Sequence, residues 1–381
     1  METKPRYFAF ALTDRCQSHC STCNGWQTPA ENKFDELSTN DWKFVLSSLH
    51  EWLGEFDFIF TGGEPFLRED IYELADYAAA LGLKPKVITN GLALQNKCEK
   101  VINTGFTDIT VSLNAVKNPL IHNLSRGRQN AFKITSDVIQ NLAYLNRVKK
   151  AGKTILIAAV IMPSNLTEMV PLAEFAHTNG IGINYQLLDG GDSFFTAYDI
   201  QNESLRMFDD MKQQTIEAID KLIELKQEGY LIYNSNKQLL AFKDLIINSE
   251  TEKANRQKSF KTMVVEDFDP LFFQDIKNRK IEDKINPDLI KRVVNTPYTE
   301  LHPEKEAVES ESSCQIGHYN FLIDPYGSVR VCFTFDPIGS LITTIPQNIW
   351  NGAAAEKIRN KIVHCDKSCK LLNCNYHEGD N

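Results

Sequence analysis

The chain has 381 residues, 42% of them hydrophobic and 24% charged, a composition typical of a folded protein that is long enough for more than one domain. Its net charge is −9 and it has no basic tract, which argues against nucleic-acid binding through phosphate neutralisation. No apolar run is long enough to span a bilayer, and residues 1–6 lack the apolar region of a signal peptide. We therefore expect a cytoplasmic protein with no membrane or nucleic-acid partner.

Short apolar runs alternate with helical patterns between residues 7 and 190. The runs predict strands at 7–12, 56–61, 85–89, 108–113, 154–161 and 182–188. Their content of Phe, Ile, Val and Leu is typical of strands buried on both faces. This alternation predicts right-handed β-α crossovers and a parallel sheet, and six units are too few to close an eight-stranded barrel.

Capping signals predict several helix ends. The segment Ser38 to Asn40 is suited to cap a helix whose apolar face includes Trp42. Asn165 is predicted to cap a helix that ends at Gly180. Residues 203–229 carry apolar positions at helical spacing and predict one long helix that packs on the core or bridges two domains.

Three of the nine cysteines form a C-x3-C-x2-C pattern directly after the first predicted strand. These are Cys16, Cys20 and Cys23. In a cytoplasmic chain, such thiols are more often metal ligands than disulfides. Three thiolates on one loop can hold three irons of a four-iron cluster and leave the fourth iron open to a small molecule. A structural zinc site needs four ligands, so it fits this spacing less well.

This loop resembles the cluster loop of radical S-adenosylmethionine (SAM) enzymes, and the segment Thr61 to Pro65 resembles the Gly-Gly-Glu segment that holds the methionine end of SAM in that family. The resemblance implies an α/β fold with a partial (β/α)6 barrel, whose functional loops follow the carboxyl ends of the strands. It also implies reductive cleavage of SAM to a 5′-deoxyadenosyl radical that abstracts a hydrogen from a substrate.

The resemblance implies a set of SAM contacts. Gly62 and Gly63 allow close approach of the SAM amino group, and Glu64 anchors the turn or contacts that group. Further contacts are expected from the ends of the third and fourth strands and from an arginine suited to the SAM carboxylate: Asn90, Ser112, Asn114 and Arg126. Two positions depart from the family pattern. Thr22 stands where an aromatic residue is common, and Asn114 where an acidic one is, which weakens the expected adenine and ribose contacts.

A second group of cysteines lies near the carboxyl end of the chain: Cys314, Cys332, Cys365, Cys369 and Cys374. Residues 324–327 predict a turn between two strands, which would bring the first two thiols to one end of a hairpin. Spacing alone leaves a [4Fe-4S] cluster and a zinc site both open. Cys98 lies apart from both groups, in a helical pattern, and is predicted to be a small buried residue.

The C-x12-G-x4-C pattern of Cys314 to Cys332, followed by residues 349–352, resembles the SPASM or twitch extension of radical SAM enzymes. This resemblance implies one auxiliary [4Fe-4S] cluster and one spare cysteine. Two incompletely ligated clusters, with His364 or His377 as an unusual ligand, are an alternative. A spare thiol among Cys365, Cys369 and Cys374 is a candidate hydrogen-atom donor.

The chain is predicted to divide into a barrel (1–200), a helical bridge with a mixed-charge insert (201–312) and a cluster domain (313–381). Residues 304–313 are polar and predict a flexible segment. Residues 190–195 follow the sixth predicted strand, at the expected mouth of the barrel. They are either a substrate lip or an ordinary loop.

SPASM and twitch relatives mostly modify peptides, so the resemblance favours a ribosomally made peptide as substrate, changed by crosslinking, epimerisation or oxidation. A small-molecule dehydrogenase or an enzyme of cofactor or natural-product biosynthesis is the main alternative. A non-catalytic iron-sulfur or zinc protein, with His19 as a fourth ligand, is another. Flavodoxin or ferredoxin is the expected electron donor. Because the first strand begins close to Met1, we expect no fused N-terminal peptide-recognition domain. This weakens the peptide interpretation and leaves a separate recognition protein as an alternative.

Overall fold

The structure is a computed structural model that describes residues 4–23, 36–187, 211–248 and 314–365. Nearly all of these belong to one compact unit made of residues 1–244 and 310–381. A second unit, 245–309, is described only at 245–248. Among the helices of these ranges, none is long and apolar enough to cross a membrane.

All six predicted strands are present and pair in parallel, each with its neighbour in sequence: β1 (Tyr7–Thr13), β2 (Asp57–Gly62), β3 (Lys84–Thr89), β4 (Asp108–Ser112), β5 (Thr154–Ile161) and β6 (Gly182–Leu187). Three short strands extend the sheet beyond β1: β7 (Asn320–Ile323), β8 (Ser328–Arg330) and β9 (Gly339–Ser340). The order is β6-β5-β4-β3-β2-β1-β7-β8-β9. The sheet is mostly parallel and does not close, which confirms a partial barrel.

The strand β7 joins the carboxyl-terminal part of the chain to the barrel. It pairs in parallel with β1, with Tyr7 opposite Asn320 and Phe10 opposite Ile323. The next two strands run antiparallel, and the predicted turn at 324–327 connects β7 to β8. The Asp324 carboxylate accepts hydrogen bonds from the amides of Tyr326 (3.0 Å) and Ser328 (2.8 Å), which fixes this turn.

Helices cover one face of the sheet and connect its strands. The described helices are α1 (Thr39–Leu53), α2 (Ile71–Ala80), α3 (Cys98–Ile102), α4 (Pro119–Arg126), α5 (Ala131–Lys149), α6 (Met169–Thr178), α7 (Lys212–Gln227), α8 (Asn236–Asn248), α9 (Pro346–Trp350) and α10 (Ala353–Val363). Cys98 is buried at the start of α3, as predicted. The long helix predicted at 203–229 is present as α7 in its described part.

The expectation that the strands are buried on both faces holds for β1, where residues 8–13 are all buried, but is wrong for β2 to β5. In β5, buried residues alternate strictly with half-buried ones, and β2, β3 and β4 show nearly the same alternation. The buried residues pack against the helices. The half-buried residues face the inside of the open barrel, because a sheet that does not close leaves this face only partly covered.

Aromatic side chains on the helix side hold the first strands in place. Phe10 of β1 lies 4.9 Å from Phe58 and 5.9 Å from the α1 residue Trp42, measured between ring centroids. All three are fully buried. Such contacts contribute roughly 0.5–1.5 kcal/mol per aromatic pair beyond the burial of area, so the end of β1 is firmly positioned.

One predicted helix cap is confirmed and another is wrong. Ser38 caps α1, where its side chain and that of Asp41 each bond the other's backbone amide. Asn165 does not cap α6, which begins at Met169. It lies in a preceding 3-10 turn, and its amide nitrogen donates to the carbonyls of Asn114 (2.9 Å) and Val160 (2.8 Å). A side chain committed to two strand-end carbonyls is not available to a helix four residues away.

Candidate active site

A single cleft at the carboxyl ends of β1 to β4 contains the cysteine loop and most of the residues expected to contact SAM. Cys16, Cys20 and Cys23 follow β1, and all three are present as thiols. Other lining residues come from the ends of the next strands and from α4: Thr61, Gly62, Gly63, Asn90, Ser112 and Arg126. Thr22 also lines the cleft. The two sequence motifs therefore meet at one edge of the sheet.

Hydrogen-bond donors reach the sulfur atoms of the cysteine loop. The Ser18 backbone amide (3.4 Å) and the Asn90 side-chain amide (3.7 Å) both donate to Cys16 Sγ. Arg126 Nη1 donates to Cys20 Sγ (3.6 Å). Burial raises the pKa of Cys16 to about 12, so this thiol keeps its proton until a metal displaces it. The donors suit the thiolate that metal binding creates, because they stabilise negative charge on sulfur.

The end of helix α4 holds the rest of the loop through backbone contacts. The carbonyls of Ser125 and Arg126 accept hydrogen bonds from the amides of Ser21 (3.2 Å) and His19 (3.1 Å). Gly127 follows with a φ of 61°, and a Cβ there would lie 2.5 Å from the His19 carbonyl oxygen. Both the φ angle and this close approach require glycine.

The two glycines after β2 pack on the backbone of the cysteine loop. The Gly63 amide donates to the Thr13 carbonyl (2.7 Å), and the Glu64 amide donates to the Arg15 carbonyl (2.8 Å). A Cβ on Gly62 would lie 2.4 Å from the Thr13 oxygen, and one on Gly63 would lie 2.3 Å from the Arg15 oxygen. The protein itself therefore requires glycine at both positions, before any contact with SAM is considered.

Glu64 is fully buried and anchors the turn, which is one of the two roles expected for it. Its carboxylate accepts hydrogen bonds from the Phe66 amide (3.2 Å), the Thr89 hydroxyl (2.7 Å) and the Asn90 amide (2.8 Å). Burial raises the pKa of Glu64, whereas these donors and the nearby charge of Arg126 oppose the rise. The donors all need an acceptor, so we describe the group as a carboxylate.

Two of the polar residues expected to contact SAM have different surroundings. Arg126 lines the cleft, and its Nε is buried with no hydrogen-bond partner among the described residues. Asn114 is not among the lining residues. Its amide nitrogen donates to Ser125 Oγ (3.1 Å), and its amide oxygen accepts from the Val160 amide (3.1 Å). The polar atoms of the Asn114 side chain thus connect α4 to β5.

Asp14 lines the same cleft and was not identified from the sequence. Both carboxylate oxygens are buried and have no hydrogen-bond partner within 3.5 Å in the described part of the chain. The pKa of Asp14 is raised to about 6. Burial is the largest cause, the nearby Tyr326 hydroxyl partly opposes it, and the charges of Asp324 and Glu36 add to the rise. The position of Asp14, an acidic residue two places before the first cysteine, was the sequence feature that could have identified it. Its proximity to the β7–β8 turn depends on contact with Asp324 and Tyr326, which lie 310 and 312 positions later in the chain.

The cleft fits a four-iron cluster with an open iron and a bound amino acid. It presents three thiols, a glycine-lined backbone and a guanidinium with an unused donor. In the ranges that the structure describes, no three His, Cys, Asp or Glu side chains are grouped so that they could hold a metal ion. An iron-sulfur cluster does not require three side chains close enough to share one ion, because each thiolate binds a separate iron.

The carboxyl-terminal cysteines are described in part. Cys314 precedes β7, Cys332 follows β8 and Cys365 follows α10. Because β7 and β8 run antiparallel, the first two lie toward the same end of the hairpin. Cys369, Cys374 and His377 lie outside the described residues, as do the predicted loop at 190–195 and the segment 304–313.

Comparisons with known families agree with this arrangement. The sequence model of the radical SAM superfamily matches residues 10–176. A second model, of the SPASM iron-sulfur cluster-binding domain, matches residues 314–375. These two stretches include the cysteine loop, the Gly-Gly-Glu segment and all five carboxyl-terminal cysteines. The chain carries a radical SAM domain at residues 10–176 and a SPASM domain at residues 314–375. The cofactors of these two domains are SAM, a [4Fe-4S] cluster and an auxiliary cluster.

The radical SAM protein has curated relatives of limited similarity. It is 30% identical over 181 residues to the AdoMet-dependent heme synthase of Methanosarcina barkeri, which covers 47% of this chain and 49% of the relative. It is 23% identical over 219 residues to the PqqA peptide cyclase of Bradyrhizobium diazoefficiens, which covers 57% of this chain and 53% of the relative. The chain therefore spans about half the length of the curated relatives it matches.

A solved structure shares the fold over nearly the whole chain. SuiB of Streptococcus suis, bound to its precursor peptide SuiA, superposes with a TM-score of 0.60. The match covers 97% of this chain and 72% of SuiB at 14% sequence identity. At this identity the likeness establishes the fold and nothing more.

Proposed function

We propose that this radical SAM protein is an enzyme that modifies a ribosomally made peptide by crosslinking, epimerisation or oxidation. The observation that carries the proposal is the cleft in which Cys16, Cys20 and Cys23 lie beside Gly62 and Gly63. A [4Fe-4S] cluster held by these three cysteines would supply the electron for reductive cleavage of SAM, which is the source of the radical that abstracts a substrate hydrogen.

The residues of the cleft have different roles in binding the cluster and SAM. The three cysteines would hold the cluster, and the backbone of the Gly62–Glu64 turn, which packs on the cysteine loop, would lie beside the bound SAM. Arg126 binds the SAM carboxylate, because its buried Nε is an unused donor in the cleft. Ser112, which lines the cleft at the end of β4, binds the ribose. Asn90 orients Cys16 and Ser18 through its side-chain amide.

A peptide substrate is supported by two comparisons. The PqqA peptide cyclase acts on a peptide by its name, and SuiB was solved with a precursor peptide bound. A flavodoxin or ferredoxin would supply the electron, and a separate recognition protein would deliver the peptide.

A small-molecule substrate is the second candidate, and one comparison favours it. The heme synthase relative is 30% identical over 181 residues, and its name describes the making of a cofactor. A non-catalytic iron-sulfur or zinc protein is the third candidate. It has no use for SAM, so cleavage of SAM would eliminate it.

Iron analysis tests the two cluster sites. We expect anaerobically reconstituted protein to bind about eight irons per chain, and a variant with Cys16, Cys20 and Cys23 all changed to Ala to bind about four. With a chemical reductant and SAM, the parent should form 5′-deoxyadenosine and the variant should not. Four irons falling to none, with zinc retained, would contradict the auxiliary cluster and leave a structural carboxyl-terminal site.

A fractionation experiment separates the two substrate classes. Extract of the host cells is divided by filtration into a peptide fraction and a fraction below the mass of a short peptide, and each is added to the reduced enzyme with SAM. The peptide proposal predicts that 5′-deoxyadenosine formation rises only with the peptide fraction, and that prior protease treatment removes the rise. Stimulation by the low-mass fraction, unaffected by protease, would favour the small-molecule alternative.

A further inference from the structure

Strand β7 contains a buried amide whose hydrogen-bonding capacity is not used. The Asn320 side chain is 1% exposed, and neither its Oδ1 nor its Nδ2 has a hydrogen-bond partner in the described part of the chain. Buried amides are nearly always paired, because an unpaired one loses its hydrogen bonds to water without replacement. A side chain whose two polar atoms are both unpaired among the described residues therefore indicates a partner outside those residues, such as a bound group.

The position of Asn320 identifies the chemistry of that partner. In the β7–β8 hairpin, Leu322 lies opposite Arg330 and Ile323 opposite Val329. Continued outward, the same antiparallel register places Asn320 opposite Cys332. Residues directly opposite each other project to the same face of a sheet, so the amide and the thiol share a face.

The segment that directly precedes β7 contains a second cysteine. Cys314 precedes β7 by only a short 3-10 turn, Ile316–His318, and lies toward the same end of the hairpin. The unpaired amide is thus bracketed in sequence by two cysteines of the SPASM domain and faces the side on which Cys332 projects. The neighbouring buried residues of β7, Phe321 and Leu322, are apolar and offer no competing partner.

We propose that the Asn320 amide donates a hydrogen bond to a sulfur of the auxiliary cluster or of its Cys332 ligand, and that it sets the reduction potential of that cluster. This inference rests on the auxiliary cluster of the proposed function. A donor beside the sulfurs stabilises the more negative, reduced state, and hydrogen bonds to sulfur are among the determinants of cluster potential. Asn320 is a positioning residue that keeps the auxiliary cluster easier to reduce by an electron from the substrate radical.

The test is an anaerobic redox titration, followed by electron paramagnetic resonance, in a background with Cys16, Cys20 and Cys23 changed to Ala. Only the auxiliary cluster remains in this background. The Asn320→Leu variant is compared with the parent and with Asn348→Leu, a control at an exposed position of the same domain. We expect the ratio of reduced to oxidised cluster at a fixed potential to fall roughly three- to tenfold in Asn320→Leu, where tenfold corresponds to about 59 mV for one electron. The control should not change.

An unchanged or raised potential in Asn320→Leu would overturn the inference. If that variant does not retain its cluster, Asn320→Asp decides the matter, because it keeps the shape, removes the donor and adds negative charge. Its potential should fall, and an unchanged value would overturn the inference. Absence of any cluster in the triple-alanine background would instead refute the auxiliary cluster, so the two failures are distinct.

A structural role for Asn320 makes a different prediction. In protein without clusters, leucine removes an unpaired buried amide, so Asn320→Leu should unfold at a denaturant concentration no lower than the parent. A lower midpoint, together with an unchanged potential, would show that the amide has a packing role only.

Discussion

Replacing Glu64 with glutamine removes one of the two acceptor oxygens that anchor the Gly62–Glu64 turn. The side chain keeps its shape, but one of its two oxygens becomes an NH2 donor. In one orientation the new NH2 faces the Asn90 amide, and in the other it faces the Phe66 amide. Each orientation therefore leaves two buried donors facing each other.

The cost follows from the number of bonds affected. A hydrogen bond to a charged acceptor contributes about 1.5–3 kcal/mol, and an unsatisfied buried donor costs a further 1–3 kcal/mol or so. Glu64 is fully buried, so solvent does not screen these interactions. We expect Glu64→Gln to lower the free energy of unfolding of the cluster-free protein by about 3 kcal/mol, and to reduce both iron retention and SAM affinity, because the turn packs on the cysteine loop.

Glu168 provides a matched control. It is also buried, and its carboxylate accepts from three backbone amides, those of Val116 (2.7 Å), Lys117 (2.8 Å) and Asn118 (3.0 Å). Glu168→Gln should cost a similar free energy of unfolding, measured by chemical denaturation, but keep its iron and SAM affinity because Glu168 does not line the cleft.

Two results would refute this reasoning. An unchanged denaturation midpoint in Glu64→Gln would show that the carboxylate does not anchor the turn. Equal loss of iron and SAM binding in both variants would show that the effect at Glu64 is a consequence of general instability and not of its place beside the loop.

Three further predictions test other parts of the site. Gly63→Ala should displace the cysteine loop and lose the iron of the first cluster, since its Cβ would lie 2.3 Å from the Arg15 carbonyl oxygen. Gly152→Ala is the control: Gly152 has a φ of 69° and no atom within 4 Å of a Cβ, so this variant should keep its iron and lose only about 1 kcal/mol of the free energy of unfolding. Arg126→Lys should weaken equilibrium SAM binding roughly tenfold, because lysine lacks the planar fork, while an unchanged affinity would exclude the carboxylate contact. Burial, followed by the charge of Arg126, lowers the pKa of His122 well below its usual value, so the unfolded chain takes up a proton below about pH 6.5 that the folded protein does not. The free energy of unfolding should therefore fall with decreasing pH below 6.5, by up to about 1.4 kcal/mol per pH unit from this group, and His122→Asn should remove that part of the slope in denaturant titrations at several pH values.

The strands of the barrel were predictable because each is a short apolar run with a clear boundary. The burial of residues such as Ile155 and Ile157 follows from the same pattern, but the half-exposed inner face does not, since it depends on the sheet remaining open. Ser38 was predictable as a cap because its partner Asp41 is three residues away. Asn165 was misassigned because its two acceptors belong to strand ends that only the fold brings to it.

The site shows the same division between local and long-range determinants. The cysteine spacing and the Gly-Gly-Glu segment are local, so the sequence located them. The anchoring of Glu64 by residues of β3, and the burial of Asp14 beside Tyr326, depend on strand order and on a contact with the far end of the chain. Neither is recorded in any short stretch of sequence.

The pairing of β7 with β1 limits what a deletion experiment can show. β1 leads directly into the cysteine loop, and it has β2 on one side and β7 on the other. A chain cut before residue 314 would turn β1 into an edge strand with a row of unpaired amides and carbonyls, a known template for aggregation. Loss of radical chemistry after such a truncation would reflect damage to the first strand, so point substitutions at Cys314 or Cys332 are the informative way to ask what the SPASM domain contributes.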